Sequence, residues 1–203
     1  MSRGQVIVQV GYGRHGGQAK TGGSTQGQTT AQFVANKAHY AEGRGEGEHN
    51  ALYREGGERL DDWQEMRDTV NEAAQDIADE SERSRAYVVD VMISSGDERI
   101  DHEDMHAVAS SYAEEMRERG YQVEGYTYAI HDNGDHTHVH AMYATDKTPQ
   151  KTDLEAVKHE LREHTDHAKA STLEREGQLE RAQAHASERG SRDYAPRQDE
   201  QER

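Results

Sequence analysis

Residues 123–144 hold the feature that most restricts how this chain can fold. Two runs, Val123–His131 and His138–Ala144, flank Asn133-Gly134-Asp135. Asn-Gly between strand-like runs is a strong hairpin signal, because a type I′ turn needs positive φ at both central residues. On the returning strand His138, His140 and Met142 share one face, and Val139, Ala141 and Tyr143 share the other. His138 and His140 therefore stand about 6–7 Å apart at the backbone. The turn brings His131 back beside them, with Asp132, Asp135 and His136 nearby. Four of the chain's 13 histidines fall in these ten residues. Three neutral imidazoles on one rigid face suit one divalent ion (Mg, Mn or Zn) and leave coordination positions open for substrate oxygens.

The rest of the chain supplies a sheet and helices around that hairpin. Gln5–Val10 alternates as a strand, and residues 11–28 read as a Gly-rich loop. Thr29 or Thr30 caps a helix ending near Tyr40, and residues 41–57 form a second Gly-rich stretch. Trp63, Met66, Val70, Ala74 and Ile77 recur at helical spacing within residues 60–83. Ala86–Ser94 is the strongest strand, turned by Ser95-Gly96-Asp97. A helix follows over 101–120. Thr152 or Asp153 caps a long polar helix to about residue 186, and 187–203 reads as a disordered tail. The order β-α-α-β-α-β-β-α predicts an α+β domain over residues 1–150: a central antiparallel sheet with helices mainly on one face, followed by the polar C-terminal helix of 151–186.

Composition narrows the function classes. With 32% hydrophobic residues, one Phe and one Trp, the core must rest on Val, Ile, Ala, Leu, Met and Tyr. The absence of Cys removes disulfides, thiolate zinc sites and a cysteine nucleophile. No apolar run approaches the ~20 residues of a membrane span, and residues 1–10 lack an apolar signal region, so a cytoplasmic protein without a membrane partner is expected. The net charge of −16 argues at first against DNA. Its distribution is uneven: residues 1–60 hold seven Lys/Arg against five Asp/Glu, and residues 61–120 hold six against eighteen. The acid excess and the scarcity of Lys (six, against eighteen Arg) suggest a halophilic, very salty cytoplasm. At ~1 M salt the Debye length is only ~3 Å, so such a charge repels DNA little beyond contact range.

The motif His131-Asp132-Asn133 followed by His138-Val139-His140 resembles the third motif of plasmid relaxases, the mobilisation nucleases of the HUH endonuclease class. The order of strand 86–94, ending at Ser94, helix 101–120 and strands 122–144 is similar too. Upstream, Lys37-Ala38-His39-Tyr40, Gly43-Arg44-Gly45-Glu46 and Ala51–Gly57 resemble the nucleophile region of that family, where a Tyr ends a short helix before a Gly-rich loop. The resemblance covers roughly residues 5–145. Two positions depart from the family: Asn133 stands where Asp is frequent, and Ala41 follows Tyr40 in place of a large aliphatic residue. The chain is also shorter than a relaxase that carries a helicase or primase domain.

The resemblance implies a relaxase that nicks single-stranded DNA at a transfer origin through a 5′-phosphotyrosine link. Accessory nicking and coupling proteins would be its partners in plasmid mobilisation and conjugation. Replication initiators of the HUH class share this chemistry, and a non-catalytic DNA-binding relic is the third reading. Tyr40 is the expected nucleophile, with Tyr53 its rival and Tyr12 and Tyr128 behind. A Tyr hydroxyl has a reference pKa of ~10, so a base must take its proton; Asp132 or His39 is expected to do so. Ser94 is placed to bond the scissile region. Arg14, Lys20, Lys37, Arg44 and Arg54 are the expected phosphate contacts.

The charge distribution generates a test. DNA-binding proteins ordinarily lose affinity steeply with salt through counterion release. Here nicking measured across a KCl series should fall shallowly, or rise, between tens of millimolar and molar salt. A steep monotonic fall from the lowest salt upward would contradict the high-salt reading.

Overall fold

The computed structural model describes residues 6–17, 19–20, 29–43, 51–80, 85–96, 100–132 and 137–193. Among these described residues, seven antiparallel strands make one sheet: β1 (Ile7–Arg14), β2 (Ala19–Lys20), β3 (Leu52–Arg54), β4 (Arg59–Leu60), β5 (Tyr87–Ser94), β6 (Glu124–Asp132) and β7 (Thr137–Thr145). Their order across the sheet is β2-β1-β5-β7-β6-β3-β4. Four helices complete the fold: α1 (Thr30–Glu42), α2 (Trp63–Glu80), α3 (His102–Glu118) and α4 (Lys151–Asp193). The expected α+β architecture is present, with a central antiparallel sheet and a long C-terminal helix.

The helices do not gather on one face. Val89, Val91, Ile93, Val139, Ala141 and Tyr143 pack under α3 and α4. Val88, Ala129, Met142 and Ala144 pack under α1 and α2. The reason lies in β5 and β7, which are apolar at both parities, and β7 is buried at every position. A strand buried on both faces needs a layer on each side. The Gly-rich stretches also hold more sheet than their composition suggests. β1 continues through Gly11 and Gly13 because it pairs with β5 from Ile7↔Ser94 to Arg14↔Tyr87. β3 forms because Leu52, Tyr53 and Arg54 pair with Ala129, Tyr128 and Thr127.

Polar contacts fix where each helix begins. The Thr29 side chain accepts from the Gln32 amide at 3.3 Å, and Gln32 Oε1 accepts from the Thr29 amide at 3.1 Å, a complete capping box for α1. Thr30 Oγ1 donates to Arg14 O at 2.5 Å, tying that helix to the end of β1. Thr137 Oγ1 donates to Ile100 O at 2.9 Å and accepts from Ile100 N at 3.2 Å, pinning the approach to α3. Helix α4 is fastened to the start of α3 by Arg175, which pairs with Asp101 at 3.0 Å and with Asp104. Its inner face adds Val157, Leu161 and Ala168 to the core. The helix runs through Asp193; residues 194–203 of the expected tail lie outside the described residues, as do Asn133–His136 of the hairpin turn.

The block of residues 61–120 is strongly acidic. Much of it does lie on outer helix faces, but α2 packs beside α1 on the histidine side of the sheet, and Asp90 is buried there.

Helix α2 crosses β6 closely at Gly125, where the register shifts between Glu124 and Thr127. Gly125 has φ +59°, and a Cβ there would lie 2.8 Å from both Ala73 Cβ and the Thr69 carbonyl oxygen. Gly125→Ala should cost about 2–4 kcal/mol in urea unfolding, through overpacking and backbone strain together. Gly120→Ala, with φ +75° but only an ordinary contact to Lys147 Nζ at 3.8 Å, should cost only about 1–2 kcal/mol. Equal losses at the two positions would refute the close approach.

Candidate active site

The sheet's alternation gathers the histidines. His131, His138 and His140 sit on the α1/α2 face at one end of β6 and β7, with His131 and His138 directly paired. All three are buried, at 7–8% exposure. Their ring centroids are 4.8–5.1 Å apart, and one nitrogen from each lies within 4.8 Å of the others. Bonding to a common ion at ~2.1 Å requires nitrogens about 3–4 Å apart, which small ring rotations provide.

Two details fit a metal ion. His131 Nε2 donates to the Ala41 carbonyl at 2.7 Å, so Nδ1 is the acceptor nitrogen of the neutral ring. A ligating imidazole is commonly oriented by such a bond from its other nitrogen. His140 Nε2 is buried with no hydrogen-bond partner among the described residues, which is costly for a polar atom unless something binds it. Burial, followed by the neighbouring His131, His138 and Lys37 charges, pushes the His140 pKa down to about 3. Its ring is thus neutral near pH 7, the form that ligates.

Tyr40 stands against this cluster. It lies in the last turn of α1, where the Gly43 amide closes the helix on the Tyr40 carbonyl at 3.2 Å. Its ring centroid is 5.0 Å from that of His140 and 6.0 Å from that of His131. The residue is 37% exposed, unlike the three buried rings beside it. The other candidate tyrosines are elsewhere. Tyr53 stacks on Tyr128 at 5.5 Å and meets His106 edge-on at 4.5 Å, on the α3/α4 face of the sheet. Tyr128 is buried in the same core, where desolvation pushes its hydroxyl up to about 12. Tyr12 packs against that core as well.

The remaining expected residues divide. Ser94 is paired directly across from His138, is buried, and accepts from the Gly96 amide at 3.3 Å. Asp132 follows His131 along β6 and so alternates to the opposite face. Its cross-strand partner Thr137 points toward Ile100 on that side, and Asp132 itself is exposed. His39 packs edge-on against Trp63 of α2 at 5.4 Å. The structure therefore brings neither expected base to the Tyr40–histidine group.

The basic residues spread widely. Arg14 pairs with Tyr87, seven residues along β5 from Ser94, about 23 Å at strand rise. Arg54 is held by Glu65 at 2.7 Å and donates to Thr69 at 3.1 Å, clamping β3 to α2. Arg44 and the Lys20 side chain lie outside the described residues. Lys37 is the one of the five placed beside the imidazoles among those described, and its ammonium lies 2.7 Å from Asp90 Oδ2. Asp90 escaped the sequence reading, although a lone acid inside the apolar run Val88–Ile93 was its visible signal. It is 6% exposed, and burial raises its carboxyl above the usual range while Lys37 opposes that rise.

No helix among the described residues is long and apolar enough to cross a membrane. No curated protein and no solved structure matches the chain. One family model does match, Relaxase: MobA/VirD2-like, nuclease domain, over residues 31–176. That span includes Tyr40, Asp90, Ser94 and all three clustered histidines, and it takes in most of the chain's length. The protein therefore belongs to the relaxase family, as a MobA/VirD2-like nuclease domain.

Proposed function

We infer that the protein is a DNA relaxase that nicks one single strand at a transfer origin and so begins plasmid mobilisation. The observation that carries this reading is Tyr40, a half-open tyrosine standing over three buried imidazoles.

His131, His138 and His140 would hold one divalent ion through neutral nitrogens. When bound, the ion supplies positive charge to the non-bridging oxygens of the phosphodiester, where charge develops during transfer. Tyr40 supplies the nucleophile. Its phenolic oxygen bonds to phosphorus as the bond from phosphorus to the 3′ oxygen breaks, giving a phosphotyrosine at the DNA 5′ end. The phenolic proton leaves to solvent or a base, and the departing 3′ oxygen takes up a proton. The phosphodiester bond energy is kept in the tyrosine ester, so attack by a 3′ hydroxyl reverses the step and reseals a strand. Ser94, across from His138, is positioned to bond the scissile region. Tyr53 lies on the other face of the sheet and is out of place for the same attack.

Arg14 and Lys20, on β1 and β2, would meet DNA only well away from the scissile bond and so would act on affinity more than on rate. The acidic surface, the high-salt setting and a cytoplasmic location belong to this same reading, as do accessory nicking and coupling proteins.

The test is incubation with labelled single-stranded DNA containing an origin sequence, followed by denaturing gels and peptide mapping. Wild-type protein should form a covalent adduct that EDTA stops and Mn2+ restores. Tyr40→Phe should reduce adduct formation by at least about 10³-fold while Tyr53→Phe retains it; the reverse pattern would move the nucleophile to Tyr53. Separately, His140→Ala should weaken Mn2+ binding, measured calorimetrically, by more than about 100-fold, since even the groups that orient a ligand are worth 10–100-fold. Unchanged Mn2+ affinity would remove the histidines from metal binding.

A further inference from the structure

Lys37 and Asp90 form an ion pair whose acid is buried and whose place in the fold is unusual. Asp90 projects from β5 onto the histidine face, two residues before Met92, which is paired with His140. Lys37 belongs to α1, one turn before Tyr40 and Ala41. At 100° per residue, Tyr40 and Ala41 flank Lys37 by about 60° and 40° on the helix circumference. Lys37, Tyr40 and Ala41 therefore share one arc of α1, and each touches a different part of the site: Asp90 on β5, the His131 and His140 rings, and His131 Nε2 on β6.

The apolar contacts at this end of α1 are weak guides. Phe33 and Val34 anchor its first half, but the buried residues of its second half are Ala38 and Ala41. Small side chains make shallow ridges, so packing alone leaves the rotation of the helix loosely specified. Tyr40 reaches roughly 8–9 Å from the helix axis, so a rotation of about 25° would carry its hydroxyl some 3–4 Å. At this end of the helix the Ala41–His131 hydrogen bond and the Lys37–Asp90 pair are directional contacts that oppose this rotation.

We propose that the Lys37–Asp90 ion pair is a positioning device that sets the rotation of α1 and so holds Tyr40 over the imidazoles. This role rests on Tyr40 being the nucleophile. It assigns Lys37 to the enzyme's own structure in place of a phosphate contact. The ammonium is already compensated by a carboxylate at 2.7 Å, whereas a phosphate ligand works best with its charge unspent. A pair whose acid is buried and whose lysine is partly exposed adds little net stability over an apolar contact, and the best-attested use of such pairs is to specify one arrangement among several.

The test uses Lys37→Met, Asp90→Asn and Lys37→Arg in the full chain, with two readouts. The first is the nicking rate at saturating single-stranded DNA, together with the DNA concentration giving half that rate. The second is the 19F NMR line of a fluorotyrosine placed at position 40 in metal-free protein, which reports the ring's environment independently of activity. Lys37→Met and Asp90→Asn should slow nicking at saturation by about 10–100-fold, as a misplacement on the ångström scale does. Both should leave the half-saturating concentration within about twofold and should broaden or split the fluorine line. Lys37→Arg keeps the pair and should recover most of the rate and the single line. Should Lys37→Met fail to fold, Asp90→Asn and Lys37→Arg still decide. Weakened half-saturation with an unchanged rate would overturn the proposal and make Lys37 a phosphate ligand. An unchanged rate and fluorine line in Asp90→Asn, or an equal loss in Lys37→Arg and Lys37→Met, would also overturn it. Loss of the adduct in Tyr40→Phe is read first: if that variant still forms it, the reading of Tyr40 has failed, and if not, the variants of the pair judge the pair alone.

Discussion

Strands β5, β6 and β7 are covered on both faces, so each successive side chain commits to one of two layers. One layer is closed by α3 and α4 and is filled with Val, Ile, Met and Tyr. The other is closed by α1 and α2, with Val88, Ala129, Met142 and Ala144 beneath the helices. It is on this second face, at the strand ends, that His131, His138 and His140 fall. A parity change by one residue in β7 would exchange His138 and His140 with Val139 and Ala141 and bury those two imidazoles in the hydrocarbon layer, away from His131. The register of a two-sided sheet thus determines both the core and the site.

Burying polar imidazole nitrogens costs on the order of 1–3 kcal/mol for each one left unbonded. The fold offsets part of this with the Ala41 carbonyl on His131. An ion bound between the rings would offset more, because ligand binding to the native state alone adds to its stability. Helix α1 completes the arrangement. Its capping box and Thr30 tie its first turn to β1, and its last turn delivers Tyr40 and the Ala41 carbonyl to the same three rings. Tyr40 and the orientation of the His131 ring therefore depend on one helix and cannot be displaced independently.

Much of this was legible in the residues. Alternation in His138–Ala144 and the Asn-Gly turn were enough to place three histidines on one face, because strand parity is a local property. Tyr40 was legible through its resemblance to a family motif and its place before a Gly-rich stretch. The short strands β3 and β4 were not, since Leu52–Arg54 becomes a strand only by pairing with β6. The two-sided placement of the helices was hidden for a similar reason: periodicity tells which side of a helix is apolar, not which face of a sheet it covers. Asp132 shows the limit of reading along the chain: it adjoins His131 in sequence, while strand alternation sends it to the other face. Lys37 illustrates the converse. Its type suggested phosphate, and only the three-dimensional contact revealed Asp90, 53 positions away, as its partner.

The central claim is that these three imidazoles form one metal centre beneath Tyr40. Anomalous diffraction from crystals grown with Mn2+ or Zn2+ tests it directly. The account predicts a single strong peak about 2.0–2.3 Å from one nitrogen of each of His131, His138 and His140, with Nδ1 as the His131 donor and the Tyr40 hydroxyl facing the open coordination side. Peaks confined to surface carboxylates, or no peak among the imidazoles at saturating metal, would contradict it.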